Sequence, residues 1–221
     1  MYGRSMAPDV LIVDYGVGNI FSVRRAFEAC GVRATLSGDP REILDAKRLL
    51  LPGVGAFGPA MTELRARGLV EVVREFAKGG RPLLGICLGM QLLFDASDEA
   101  PGQAGLGLIP GRVRVIPNVK NGRGWRKTPH IGWSALWKKP ERADWRGTVL
   151  ERTREGSAVY FVHSYTAWPE QESVRVADCD YEGTRISAVV QLRNMHGCQF
   201  HPERSGRVGL GIIDQFARTG G

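Results

Sequence analysis

Cys87 stands between Gly85 and Gly89, where the apolar run 82–86 gives way to a helix-like run 88–94. That pattern predicts a buried strand, a sharp corner and a helix, with the cysteine at the corner. Glycines two residues to either side relieve the crowding there. The corner lifts the sulfur above a sheet and aims the amides of the helix start at it, which favours the thiolate, the nucleophilic form. Near the other end, Gln199-Phe200-His201-Pro202-Glu203 closes the apolar-rich run 186–200. Residues two apart on a strand point to one side, so His201 and Glu203 are expected to share a face at a strand end. A cysteine nucleophile needs an imidazole to hold and return its proton, and the imidazole needs an acceptor on its other nitrogen. Cys87, His201 and Glu203 are therefore the candidate catalytic set. The run 49–51 enters Pro52-Gly53-Val54-Gly55, a turn whose Gly53 and Val54 amides can face a developing oxyanion, with the amide of Leu88 as the further donor. Together these parts make an acyl-transfer site.

The elements that would carry them follow from the hydrophobic pattern. Strand-like runs at 10–14, 33–36, 48–51 and 82–86 alternate with helical periodicity at 20–30, 58–66 and 70–78. Such alternation gives parallel strands with helices on both faces. From residue 106 onward the pattern changes to closely spaced strands at 111–116, 131–136, 158–167, 174–181 and 186–200, before a last helix at 207–218. The fold class expected is α/β, doubly wound, with a mostly parallel central sheet and an antiparallel extension. The site would lie at the carboxyl ends of the parallel strands.

Composition limits the alternatives. The 221 residues, 43% of them hydrophobic, suffice for one catalytic domain over 9–221, with 1–8 as a loose extension in which Met6 is an alternative start. Cysteines 30, 87, 179 and 198 show neither a disulfide framework nor zinc spacing, and Cys30, Cys179 and Cys198 read as small buried hydrophobes. A reducing cytoplasm suits them, no cofactor or metal is implied, and no run reaches the ~18 apolar residues of a membrane span. The net charge of +7 raises the question of nucleic acid. Its densest patch, Arg112, Arg114, Lys120, Arg123, Arg126 and Lys127 among Trp125, Trp133 and Trp137, carries no nucleic-acid motif and reads as a solvated loop at 118–127 beside structural or interface tryptophans. Gly16 and Gly18 lack the third glycine of a dinucleotide fingerprint, because Phe21 stands there, and read as a tight turn facing a partner. His130, His163 and His196 read as packing histidines.

The corner, the Pro-Gly-Val-Gly turn and the His-Pro-Glu ending, in that order, resemble the triad-type (class I) glutamine amidotransferase family, whose fold is flavodoxin-like. Within it, Asp14-Tyr15-Gly16-Val17-Gly18-Asn19, Cys87-Leu88-Gly89-Met90-Gln91, Pro129-His130-Ile131-Gly132-Trp133 and Tyr160-Phe161-Val162-His163-Ser164-Tyr165 resemble the glutaminase subunits of imidazole glycerol phosphate synthase. These motifs span residues 14 to about 206. The resemblance implies that glutamine is the substrate, its head held by Gly55, Gln91, Glu99, Ser164 and Tyr165. It implies a heterodimer with a barrel-fold synthase subunit, which receives the ammonia to make imidazole glycerol phosphate and aminoimidazole carboxamide ribotide in histidine biosynthesis. It also implies that the loaded partner switches the glutaminase on; glycine on both sides of Val54 would make a peptide flip there inexpensive. Two positions depart from the family's usual residues, Ser134 in place of Asn and Arg204 in place of Lys. The 105–133 region is longer than a minimal histidine-pathway subunit needs and is similar to paralogous subunits that feed a surface-polysaccharide sugar amidotransferase. A stand-alone γ-glutamyl cysteine hydrolase is the third alternative.

Overall fold

Neighbouring residues of a strand face opposite sides, so a strand buried on both sides must be apolar throughout. The strand Val10–Val13 (β1) obeys this: Val10 and Ile12 enter one buried cluster, and Leu11 and Val13 the other. The same division splits Leu50 from Leu49 and Leu51, and Leu84 and Ile86 from Leu83. A computed structural model describes residues 9–118, 120–121, 124–125, 128–139 and 141–219 of the chain. The 1–8 extension therefore lies outside the described residues, as do Arg123, Arg126 and Lys127 of the basic patch.

After β1 come α1 (Ile20–Ala29), β2 (Ala34–Ser37), α2 (Pro40–Asp45), β3 (Leu49–Leu51), α3 (Phe57–Ala66), α4 (Leu69–Lys78), β4 (Leu83–Ile86) and α5 (Leu88–Leu92). The second half contributes β5 (Phe94–Ser97), β6 (Ile109–Val115), β7 (Lys120–Asn121), β8 (Gly124–Trp125), β9 (His130–Ala135), β10 (Trp137–Lys138), β11 (Ala158–His163) and β12 (Tyr165–Pro169). It ends with β13 (Arg175–Tyr181), β14 (Thr184–Leu192), β15 (Met195–Cys198) and α6 (Gly206–Arg218). Among the described residues the central sheet runs β10-β13-β14-β15-β4-β3-β1-β2. It is parallel from β15 to β2 and antiparallel from β15 to β10. Helices α1 and α6 cover one face through Phe27, Ile213 and Phe216; α3 and α4 cover the other through Phe57, Met61, Val73 and Phe76. This is the mixed α/β architecture expected.

Three local readings are corrected. The run 88–94 is not all helix: α5 stops at Leu92, and Phe94 opens β5, which pairs with β6. The run 186–200 is two strands, because the chain turns at Arg193, whose φ is +56°, and Asn194. The run 158–167 is likewise β11 and β12, broken at Ser164, and the two strands join different sheets.

Candidate active site

Three parallel strands end side by side, and each releases one part of the site. β4 delivers Cys87, β3 delivers the 52–55 turn, and β15 delivers the segment to His201. Cys87 adopts φ 54°, ψ −112°, a conformation that costs a side-chain-bearing residue about 1–3 kcal/mol. Its surroundings impose it: the Cys87 amide donates to Cys198 O at 2.7 Å, and its carbonyl accepts from Gln91 N at 3.3 Å. The corner also packs backbone on backbone. A Cβ on Gly53 would lie 2.6 Å from Gly89 N, and one on Gly89 would overlap the carbonyl of Leu51. Only glycine fits at both places.

His201 and Glu203 meet by a different route from the one the strand pattern gives. β15 ends at Cys198, and Pro202–Arg204 form a single 3-10 turn, for which proline is suited at the first position. The turn brings His201 Nδ1 within 2.8 Å of Glu203 Oε1, and the Glu203 side chain is only 1% exposed. Burial by itself would push the His201 pKa down; hydrogen bonds to the Cys87 sulfur and the Glu203 carboxylate, with their charges, outweigh it and push it up to about 10. The imidazole is thus held as a cation beside the sulfur at neutral pH. α5 is only five residues long, so the helix dipole expected from the sequence is small, and the His201 cation is the charge that faces the sulfur.

A cavity of about 330 Å³ opens over these groups. Val54, Gly55, Cys87, Leu88, Gln91, Glu99, Ser164, Tyr165 and His201 line it, so most of the residues singled out in the sequence converge. Gly53 and Glu203 do not reach its wall: Gly53 lies wedged under the corner and Glu203 behind His201. Glu99 is held at the wall by the amide of Phe57, which donates to its Oε2 at 2.9 Å. Pro129, Val162 and His163 also line the cavity and carry no role in the sequence reading. His163 is the informative omission. Its Nδ1 donates to Tyr165 O at 2.8 Å, its Nε2 lies 3.0 Å from His130 Nδ1, and burial pushes its pKa down to about 3. The alternation of β11 and the Ser164 break would place it inward. His196 packs as expected, edge-on to Phe216, with its pKa pushed down to about 4 by burial.

The remaining readings resolve simply. Among the described residues none of the four cysteines forms a disulfide; Cys179 and Cys198 are buried as expected and burial raises their pKa, but Cys30 is only partly buried. Arg112 pairs with Asp98 and Arg114 lies over Trp168, while Trp133 and Trp137 are exposed and not core residues. Among the described residues, no group of three or more His, Cys, Asp or Glu side chains is placed to hold a metal ion. Nor is any helix there long and apolar enough to cross a membrane.

Comparison with known proteins bears on this geometry. Residues 11–218 match the family model of class-I glutamine amidotransferases. The chain belongs to that family. Curated proteins similar to it include the imidazole glycerol phosphate synthase subunit HisH 1 of Legionella pneumophila (strain Lens), 48% identical over 94% of this chain and 97% of that protein. The HisH subunit of Aquifex aeolicus is 44% identical over 94% of this chain and 95% of its own. Among solved structures, a glutamine amidotransferase superposes with a TM-score of 0.69 at 18% identity, covering 94% of this chain and 98% of that one. PurLQS from Thermotoga maritima gives 0.68 at 21%, covering 96% and 98%. At those identities the structures speak for the fold alone.

Proposed function

We propose that this amidotransferase is the glutaminase subunit of imidazole glycerol phosphate synthase, with residues 9–221 as one catalytic domain. The observation that carries the chemistry is Cys87 at a strained corner, beside an imidazole that Glu203 and the sulfur keep charged, on the wall of a cavity of small-substrate size. The Cys87 thiolate attacks the side-chain amide carbon of glutamine. The oxyanion is held by the amides of Leu88 and the Gly53–Val54 turn. His201 gives its proton to the departing nitrogen, so ammonia leaves and a thioester remains. Water, deprotonated by His201, then releases glutamate and restores the thiolate. Glu203 fixes the imidazole and takes no proton.

Gln91, Glu99, Gly55, Ser164 and Tyr165 bind the glutamine head in this reading. Both hydrogens of Gln91 Nε2 are engaged, by Tyr165 O and Gln199 Oε1 at 3.1 Å each, so Gln91 offers the substrate its oxygen. Glu99 takes the ammonium group. The synthase partner, of barrel fold, receives the ammonia. Support for its docking face comes from β9, where Ile131 and Trp133 stand 59% and 57% exposed on one side of a strand that starts next to cavity-lining Pro129. Gly55, at φ +91° with open space around it, supplies the hinge for a flip of the Val54 peptide; Gly53 is too tightly wedged to share it. A reducing cytoplasm keeps the thiolate usable.

The test is glutamate release by the purified chain, alone and with the barrel-fold subunit loaded with its phosphorylated substrate. A large rise in rate that Cys87→Ala abolishes is expected. Equal rates with and without the loaded partner would remove the histidine-pathway assignment and favour a free hydrolase or another acceptor.

A further inference from the structure

Between the nucleophile and the cavity wall lies a buried amide that the catalytic set does not use. Gln199 has no exposed surface. Its Nε2 lies 3.9 Å from Cys87 Sγ, and its Oε1 lies 3.1 Å from Gln91 Nε2. The two ends of a carboxamide have the same shape, so its partners must decide which end faces the sulfur. They do so through a carbonyl. Tyr165 O can only accept, so Gln91, 3.1 Å away, must face it with its NH2 group. The same nitrogen has a second hydrogen, and the Gln199 atom that meets it must be the oxygen. The NH2 group of Gln199 is left facing Cys87. The anchor is fixed from its other side too: His163 is neutral, and its Nδ1–H donates to Tyr165 O at 2.8 Å, filling the carbonyl's second lone pair.

We propose that Gln199 is a positioning residue of the glutaminase: its amide, oriented through Gln91 by the Tyr165 carbonyl, donates to the Cys87 sulfur and holds it as a thiolate aimed into the cavity. The proposal rests on the glutaminase reading and deepens it. A donor next to sulfur favours the anion over the thiol. It opposes the Val162 carbonyl, 4.0 Å from Sγ, which would accept from a thiol and favour that form. The titratable groups that face Cys87 from the other elements are few. His201 comes from the turn after β15, with Glu203 behind it. Tyr15 follows β1, and its hydroxyl is occupied in donating to Pro52 O at 2.6 Å. His163 and Glu99 stand on the cavity wall. Of these, only His201 also donates to the sulfur, so Gln199 supplies a second, uncharged donor.

The test is alkylation of Cys87 by iodoacetamide, followed by mass of the Cys87 peptide across pH, in wild type and in Gln199→Met, which keeps the bulk and removes the donor. We expect alkylation at neutral pH to slow by about threefold to tenfold, the scale of one long hydrogen bond to an anion, with the half-maximal rate moving to higher pH. With the loaded partner, kcat for glutamine falls while KM changes little. Gln91→Met, which removes the group that orients Gln199, moves alkylation the same way and serves if Gln199→Met does not fold. A wild-type alkylation profile in both variants would overturn the proposal, as would a rise in KM with kcat intact in Gln199→Met. Alkylation needs no glutamine, so glutamate release by the wild-type chain tests the glutaminase reading separately.

Discussion

The cavity has two walls that hold a buried histidine each, and they treat it in opposite ways. On the nucleophile's wall, His201 sits between a sulfur and a carboxylate, and its pKa is pushed up to about 10. On the β11–β12 wall, His163 meets a carbonyl and another imidazole, and burial pushes its pKa down to about 3. Burial is common to both, so the sign is decided by the partners. A buried imidazole stays charged only where anions face it; where a neutral acceptor meets one nitrogen and a donor the other, it stays uncharged and fixed in one tautomer. The first wall is charged and conformationally strained and does the chemistry. The second is neutral, its His163 held by Tyr165 O and His130, and it shapes the pocket.

The largest way to break this contrast is to take away the sulfur. In Cys87→Ala, glutamate release should fall on the order of 10⁴-fold or more. The His201 midpoint, followed by NMR, should drop from about 10, because the sulfur is the strongest upward influence on it. A midpoint that stays near 10 would mean that Glu203 alone keeps the ring charged. Next comes Glu203→Gln, which should lower kcat by roughly 10²- to 10⁴-fold in stopped assays with the loaded partner and leave KM for glutamine nearly unchanged. Glu203 Oε2 has no hydrogen-bond partner among the described residues, so the new NH2 group gains no donor contact to offset the loss.

The neutral wall predicts a smaller effect. His163→Gln should cost about tenfold in kcat/KM through a loosened Tyr165 carbonyl, one hydrogen bond's worth. It should also flatten the acid side of the stability curve. The unfolded chain protonates His163 near its ordinary value and the folded chain only near 3, so the unfolded state binds more protons between them and stability falls as pH drops through that window. Urea midpoints at pH 4 and pH 6.5 should therefore converge in the variant. A residual slope remains from His196, lowered to about 4. The smallest effect sharpens the difference in strain. Cys87→Gly, as inactive as Cys87→Ala, should be more stable than it by about 1 kcal/mol in chemical denaturation, since glycine adopts positive φ without penalty.

Much of this was legible in the chain. Most of the parallel half was, because β1, β3 and β4 are buried on both faces and so read as unbroken apolar runs, each within a residue or so of expectation, whereas the edge strand β2 is half exposed. The cysteine corner was legible for the same reason that glycine is needed at 89. The helix α2 was missed although Asp39 caps it through Arg41 N and Glu42 N with Pro40 at its first position, a signal overridden by its six-residue length. The strand breaks at Arg193-Asn194 and Ser164 were missed, since a single Asn or Ser inside a long apolar-rich run is a weak turn signal beside the strand pattern around it. His201 and Glu203 were paired correctly for the wrong reason: a strand and a 3-10 turn can both bring residues two apart together, and only the structure distinguishes them. His163 is the buried, hydrogen-bonded histidine expected, but its place on the cavity wall was not legible, because it follows from the break after β11, which the pattern hides.

The position of β15 also bears on how the chain matures. This strand, among the last to be made, sits at the centre of the sheet between β4 and β14, and Cys198 O holds the strained amide of Cys87. Gln199 and Cys87 lie 112 residues apart in the chain. Contacts that distant close slowly, and a growing chain orders from its N-terminal end. A nascent chain that has not yet reached residue 195 therefore leaves β4 as an open edge and its nucleophile without base or backbone support. Cys87 gains the Cys198 carbonyl and the His201 base only once β15 and the turn after it are in place.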